Sequence, residues 1–201
     1  MIEAVFWDLG GVLCRFRPER RTAAIARACR TDEATVRRVV SADLLDALDH
    51  GALDGPGLLQ VARDRLAWPG SYDDLASAWG AAFEPDTAVL AVAGRLRVPA
   101  ALLTNNGAPL ADHFAQLLPS VAAVVGASFF SAQLSTTKPD SAAFLRASER
   151  LGRSPSATLL VDDSAANVRA ARAAGLDALQ FTGVTALARD LSERQLLKST
   201  P

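Results

Sequence analysis

Four short apolar runs, each continuous rather than alternating and each followed at once by polar residues, constrain this chain more than any other feature. They are Ile2–Trp7, Ala100–Thr104, Thr158–Asp162 and Ala178–Phe181, with a weaker fifth at Val124–Phe130. A strand that is apolar on both faces needs cover on both faces, as strands inside a parallel sheet have. Helical patterns separate the later runs at Pro109–Leu118, Ser141–Leu151 and Ala165–Ala174, with Gly152 and Gly175 where helix C-caps belong. Strand and helix alternating in this way predict an α/β fold with an open, doubly wound, mainly parallel sheet.

Between the first two strands lies a long interruption. It reads as almost entirely helical: Glu19–Cys29, Glu33–Val40, Leu44–Leu48, Leu58–Leu66, Tyr72–Ala82 and Asp86–Leu96. Gly51, Gly55-Pro56-Gly57, Pro69-Gly70 and Pro85 punctuate it. The expected division is a core of residues 1–15 and 97–201 with an all-helical cap at 16–96. Trp68, Tyr72 and Trp79 either pack that cap or support a dimer, so monomer and homodimer both stay open. The tail from Arg189 to Pro201 reads as a final, fraying helix.

The chain has 201 residues, enough to bury a full core, and half of them are hydrophobic. Its 21 basic and 22 acidic side chains nearly cancel, which gives no electrostatic reason to expect nucleic acid or an anionic membrane as partner. Cys14 and Cys29 form neither a disulfide framework nor a zinc motif, and Cys14 reads as a small buried hydrophobe. With no apolar run of transmembrane length and a strand at the start, the expectation is a cytoplasmic protein.

The polar residues at the strand ends are Asp8 after Ile2–Trp7, Thr104 closing Ala100–Thr104, and Asp162 with Asp163 at the end of Thr158–Asp162. In an open α/β sheet, ligands bind outside the carboxyl ends of the strands, so these side chains are expected to converge. Singly, each has an ordinary reading as a turn former or helix cap. Together with Lys138, and in this order, they read as a site.

The segments VFWDLGGVL, LLTNN, TKPD and LVDDSAANVRAA resemble the four motifs of the haloacid dehalogenase-like (HAD) hydrolase superfamily, and the resemblance spans essentially the whole chain. It implies a Rossmann-like core with a helical cap of the sugar-phosphate phosphatase and dehalogenase type, and a magnesium-dependent phosphatase acting on a small phosphorylated substrate. Asp8 would be the nucleophile, forming an aspartyl-phosphate. Thr104 and the amide of Asn105 would hold phosphate oxygens, and Lys138 would neutralise charge on the transferring group. The magnesium ligands implied are Asp8, the carbonyl of Gly10 and Asp163, with Asp162 in support. Asn167 either reaches back to the site or serves the helix start with Ser164.

Position 10 departs from the family pattern. Most phosphatases of the family carry an acid two residues after the nucleophile, and here Gly10 stands there. Such a group is typically worth a hundred- to ten-thousandfold in rate, as an order of magnitude. A phosphatase with an easily expelled leaving group, a 2-haloacid dehalogenase and a non-catalytic phosphometabolite-binding protein all fit that loss. The Asp162-Asp163 pair disfavours a dehalogenase, because two carboxylates beside Asp8 repel unless a cation lies between them. Arg15, Arg17 and Arg20 are either surface residues or contacts for an anionic substrate. His50 and His113 lack metal-ligand spacing.

Overall fold

The computed structural model describes residues 1–198. Among the described residues, seven strands and twelve α-helices begin with β1 (Ala4–Trp7), β2 (Cys14–Phe16), α1 (Pro18–Cys29), α2 (Glu33–Val39), α3 (Ala42–Asp49), α4 (Gly55–Leu66), α5 (Tyr72–Gly80), β3 (Phe83–Pro85), α6 (Thr87–Ala93) and β4 (Ala100–Thr104). The chain continues through α7 (Ala108–Leu117), α8 (Pro119–Ala122), β5 (Ala127–Phe130), α9 (Ser131–Leu134), α10 (Ser141–Leu151), β6 (Thr158–Asp162), α11 (Ala165–Ala173), β7 (Asp177–Gln180) and α12 (Val184–Glu193).

Five strands form a parallel sheet in the order β5-β4-β1-β6-β7. The central strand β1 is fully buried, and its side chains alternate between two apolar clusters. Val5 and Trp7 join Leu102, Leu159 and Val161 on one face, where α6, α7 and α12 contribute Val89, Leu110, Phe114 and Leu187. Phe6 joins Ala101, Leu103 and Leu160 on the other, covered by Phe144 of α10 and Val168 of α11. Burial on both faces is the physical reason the strand sequences are continuous in apolar residues. Each large side chain so buried contributes about 1.5–3 kcal/mol.

The register sets the ends of three strands level: Trp7 pairs with Leu102 on one side and Val161 on the other. Asp8, Thr104 and Asp162 therefore reach the same edge of the sheet. The amide of Asp8 continues the ladder by donating to the carbonyl of Val161 at 2.9 Å.

Helices α1–α5 build a third apolar cluster around Ile25, Val36, Leu48, Leu58, Leu75 and Trp79. Trp68 and Trp79 are buried within it, so they pack the insertion itself. Two features depart from the expected all-helical segment. Cys14–Phe16 and Phe83–Pro85 pair as an antiparallel ribbon at its base, with Phe16 opposite Phe83. And α6, expected to close the insertion, packs against the sheet beside Trp7.

The C-terminal helix also lies earlier than expected, at Val184–Glu193, because Leu187 and Leu191, four residues apart, seat it on the core. Beyond it the chain leaves the helix, and Leu197 bridges to Leu96. Residues 199–201 of the expected tail lie outside the described residues.

Candidate active site

The site begins with the turn after β1. The amide of Cys14 donates to the carbonyl of Leu9 at 2.8 Å, and the amide of Gly11 to the carbonyl of Cys14 at 2.7 Å. This folds Gly10-Gly11 back over the sheet edge. Gly11 has φ +91°, and a Cβ there would collide with the Asp163 carboxylate. The glycine is thus required twice, by its backbone conformation and by the carboxylate lying against it.

Lys138 is the centre of the charge arrangement. Its side chain is 2% exposed, and its Nζ donates to Asp8 Oδ1 at 2.8 Å and to Asp162 Oδ2 at 2.6 Å. Burial alone would lower its pKa, but Asp8 and Asp162 outweigh burial and the net displacement is upward, so Lys138 stays a cation. Asp162 also accepts from the Ser164 amide at 2.9 Å and from Asn167 Nδ2 at 3.0 and 3.1 Å. These contacts occupy it as an anchor for Lys138 and for the start of α11, where Ser164 caps the helix. Asn167 does both things the sequence left open: its side chain reaches Asp162 and its amide takes the Ser164 cap.

Asp8 is pushed up to about 6, chiefly by burial, with Lys138 pulling it down and Asp162 adding to the rise. Asp163, exposed, is also raised, by burial first and then by Asp162. Asp8, Asp162 and Asp163 can place one carboxylate oxygen each within 4.8 Å of one another. Three carboxylates against one ammonium leave an excess of negative charge. Such an oxygen-donor set fits a hard divalent cation.

Beside Asp8, a cavity of about 190 Å³ opens against Gly10, Thr104, Asn105, Lys138 and Asn167. The Thr104 hydroxyl accepts from Asn106 Nδ2 at 2.7 Å, which leaves its hydrogen to donate elsewhere. The Asn105 side chain grips the backbone of Lys138 from both sides, donating to its carbonyl at 2.7 Å and accepting from its amide at 2.8 Å. That clamp fixes Lys138 to the end of β4.

Sequence reasoning missed this role of the Asn105 side chain, and missed Asn106, Phe16 and Phe83 as cavity walls. The doubled asparagine after β4 was the available signal. Phe16 and Phe83 came together through a ribbon no local pattern announces. A Cβ at Gly10 would sit 3.5 Å from Phe16 and 3.7 Å from Phe83, ordinary contact distances, so the backbone position admits a Cβ.

Other singled-out residues lie elsewhere. Arg15 pairs with Asp86 at 3.4 Å and Arg20 with Glu84 at 2.7 Å, and neither lines the cavity. His50 bonds the Asp46 carbonyl and Thr137. His113 meets Asp73 at 3.0 Å and the Tyr72 ring, joining α5 to α7. Cys14 is buried and its thiol is pushed up to about 12 by burial, with Asp8 and Asp86 adding to the rise, so it is not a nucleophile at neutral pH.

A family model described as haloacid dehalogenase-like hydrolase matches residues 2–175. Among solved structures, a HAD-like family hydrolase from Porphyromonas gingivalis superposes with TM-score 0.76 at 22% identity, over 95% of this chain and 98% of that one. A HAD family enzyme from Bacteroides thetaiotaomicron, solved with magnesium and inorganic phosphate, gives 0.73 at 21% identity over 90% and 94%. A 2-haloacid dehalogenase from Pseudomonas syringae gives 0.61 at 20% identity over 90% and 86%. At these identities the likeness is one of fold. No curated protein matches the chain.

Proposed function

The chain belongs to the haloacid dehalogenase-like hydrolases, and within that family we propose that it is a magnesium-dependent phosphatase acting on a small organic phosphate through an aspartyl-phosphate on Asp8. One observation carries this reading: a buried ammonium, Lys138, ties Asp8 to Asp162 on the wall of a cavity that also presents Thr104 and Asn105. The charge pattern suits a phosphoryl group, whose transfer depends on positioning and electrostatic stabilisation.

An Asp8 carboxylate oxygen attacks phosphorus, and the bond from phosphorus to the leaving oxygen breaks. Lys138 balances charge on the nucleophile and on the phosphoryl oxygens, while the Thr104 hydroxyl and the Asn105 amide hold those oxygens in place. Water then attacks phosphorus, frees the Asp8 carboxylate and yields inorganic phosphate. Magnesium would be held by Asp8, Asp163 and the Gly10 carbonyl, with Asp162 in support, and would supply charge neutralisation between carboxylate and phosphate. The B. thetaiotaomicron structure with magnesium and phosphate supports this assignment by analogy of fold.

Gly10 supplies no acid, so the favoured substrates are those whose leaving oxygen needs little protonation, such as acyl phosphates and sugar 1-phosphates. Helices α1–α5 act as a cap that excludes water and selects the leaving group. The test is phosphate release from alkyl, sugar 1- and acyl phosphates with magnesium and with chelator. Magnesium-dependent release, greatest for the best leaving groups, is expected; no release from any of them would refute the reading.

A 2-haloacid dehalogenase is the second reading, favoured by Gly10, since halide leaves without a proton. The Asp162-Asp163 pair weighs against it, because those carboxylates call for a cation that halide displacement does not use.

A further inference from the structure

A second cavity, of about 270 Å³, lies between helices α1, α3 and α5 and the loop after β4, and shares Phe16, Asn105 and Asn106 with the catalytic cavity. Arg21 of α1 lines it and is 7% exposed. Its guanidinium carbon stands 4.5 Å above the centre of the Trp79 ring, yet its buried Nε has no hydrogen-bond partner. Among the described residues Arg21 makes no ion pair within 4.0 Å. A buried guanidinium with unused donors is costly unless something else takes them up. Asp49 of α3 lines the same cavity and acts on Arg21 through its charge.

We propose that Arg21 and Asp49 form the specificity site for the leaving group, and that this group is a neutral one carrying neighbouring hydroxyls. The inference rests on the phosphatase reading above and goes beyond it by naming the residues and the chemistry they select. Hydroxyl oxygens accept from the unused guanidinium N–H groups, and a hydroxyl hydrogen is donated to Asp49. The cavity's own charges already balance, so a neutral ligand enters without adding an unpaired charge to a half-apolar space. Phe16, partly exposed and lining both cavities, supplies apolar surface for the C–H side of such a polyol. An anionic leaving group would meet Asp49, and a cationic one Arg21.

Phosphate held at Lys138 and Thr104 and a polyol held at Arg21 would be adjacent, since Asn105 and Asn106 border both spaces. The sequence hid Arg21 in a run of arginines; its one mark is a place four residues before Ile25 on the buried stripe of α1.

The test compares glycerol 1-phosphate with propyl phosphate, which differ in two hydroxyls. Their binding to Asp8→Asn protein with magnesium is measured by calorimetry, so that neither is consumed. Glycerol 1-phosphate is expected to bind about tenfold or more tightly, the value of one or two charge-assisted hydrogen bonds. Adding Arg21→Met, which keeps a long apolar stem over Trp79, should erase that preference, and Asp49→Leu, similar in size but unable to accept a hydroxyl hydrogen, should reduce it severalfold. Should Arg21→Met fail to fold, Asp49→Leu alone decides.

Equal affinity for the two probes, or a preference that survives both variants, overturns the proposal while leaving phosphatase activity untouched. Tighter binding of 3-phosphoglycerate or phosphoserine overturns it in favour of a charged leaving group. If wild-type protein hydrolyses no acyl phosphate but the hydroxyl preference is present, the phosphatase reading fails and the binding site stands.

Discussion

Replacing Asp8, the proposed nucleophile, should make the protein more stable, and the size of the gain follows from its surroundings. Burial moves the Asp8 carboxyl from 3.8 to about 6, against the pull of Lys138. A carboxyl with a folded pKa above its unfolded value holds its proton more tightly when folded. Its ionisation therefore removes stability as pH rises from about 4 to about 6, and the loss is complete above that window. At about pH 7 the cost is about 3 kcal/mol, from roughly two pH units at 1.36 kcal/mol each. Asp8→Asn deletes the charge and keeps an oxygen to accept from Lys138 Nζ. The shift already includes the pull of Lys138, so the expected gain in metal-free protein is about 3 kcal/mol at most. Urea denaturation of both proteins in chelator, at about pH 7 and about pH 4.5, measures it. The gain should shrink to about a third at the lower pH, where the folded carboxyl is protonated and only the unfolded one is ionised, and narrow when magnesium is added, since the cation stabilises the carboxylate form. A variant no more stable than wild type at pH 7, or a gain undiminished at pH 4.5, would refute the electrostatic argument.

Lys138→Met leaves Asp8 and Asp162 buried without their cation and should cost about 3–5 kcal/mol in the same denaturation assay; a loss under 1 kcal/mol would mean that water or the unfolded chain compensates them. Gly11→Ala forces a methyl into the Asp163 carboxylate from a backbone at φ +91°, so it should destabilise by about 1 kcal/mol or more and weaken magnesium binding measured by calorimetry. Wild-type magnesium affinity in that variant would remove Asp163 from the ligand set. Gly10→Asp enters at ordinary contact distances from Phe16 and Phe83 and supplies the acid the chain lacks; turnover of alkyl phosphates should rise by about a hundredfold or more, and an unchanged rate would mean that another group already protonates the leaving oxygen.

The parts of the fold legible in the sequence are those whose burial is uniform. The strands around Phe6, Leu102 and Leu160 are covered on both faces, and this shows as unbroken apolar runs. The ribbon of Cys14–Phe16 with Phe83–Pro85 was not legible, because three-residue strands carry no period and their pairing joins distant parts of the chain. Helix α6 carries no charged residue, unlike the helices before it, but an apolar helix can pack in an insertion or on a sheet, and packing alone reveals that it sits on the sheet. In the candidate site, the convergence of Asp8, Thr104, Asp162 and Asp163 was legible because they are polar residues ending apolar strands. The clamp of Asn105 on Lys138 did not, since a side chain bonding a distant backbone leaves no local spacing to find. Arg21 was hidden for the opposite reason: arginine on a helix reads as surface unless the buried stripe is known.

The decisive measurement is chemical capture at Asp8. Protein mixed with acetyl phosphate and magnesium is quenched, reduced with borohydride, digested and analysed by peptide mass spectrometry. Borohydride converts an aspartyl-phosphate to homoserine, so homoserine at position 8, dependent on magnesium and on substrate, is the predicted result. Phosphate release that proceeds while the peptide retains unmodified Asp8 would contradict the nucleophile assignment and the mechanism built on it.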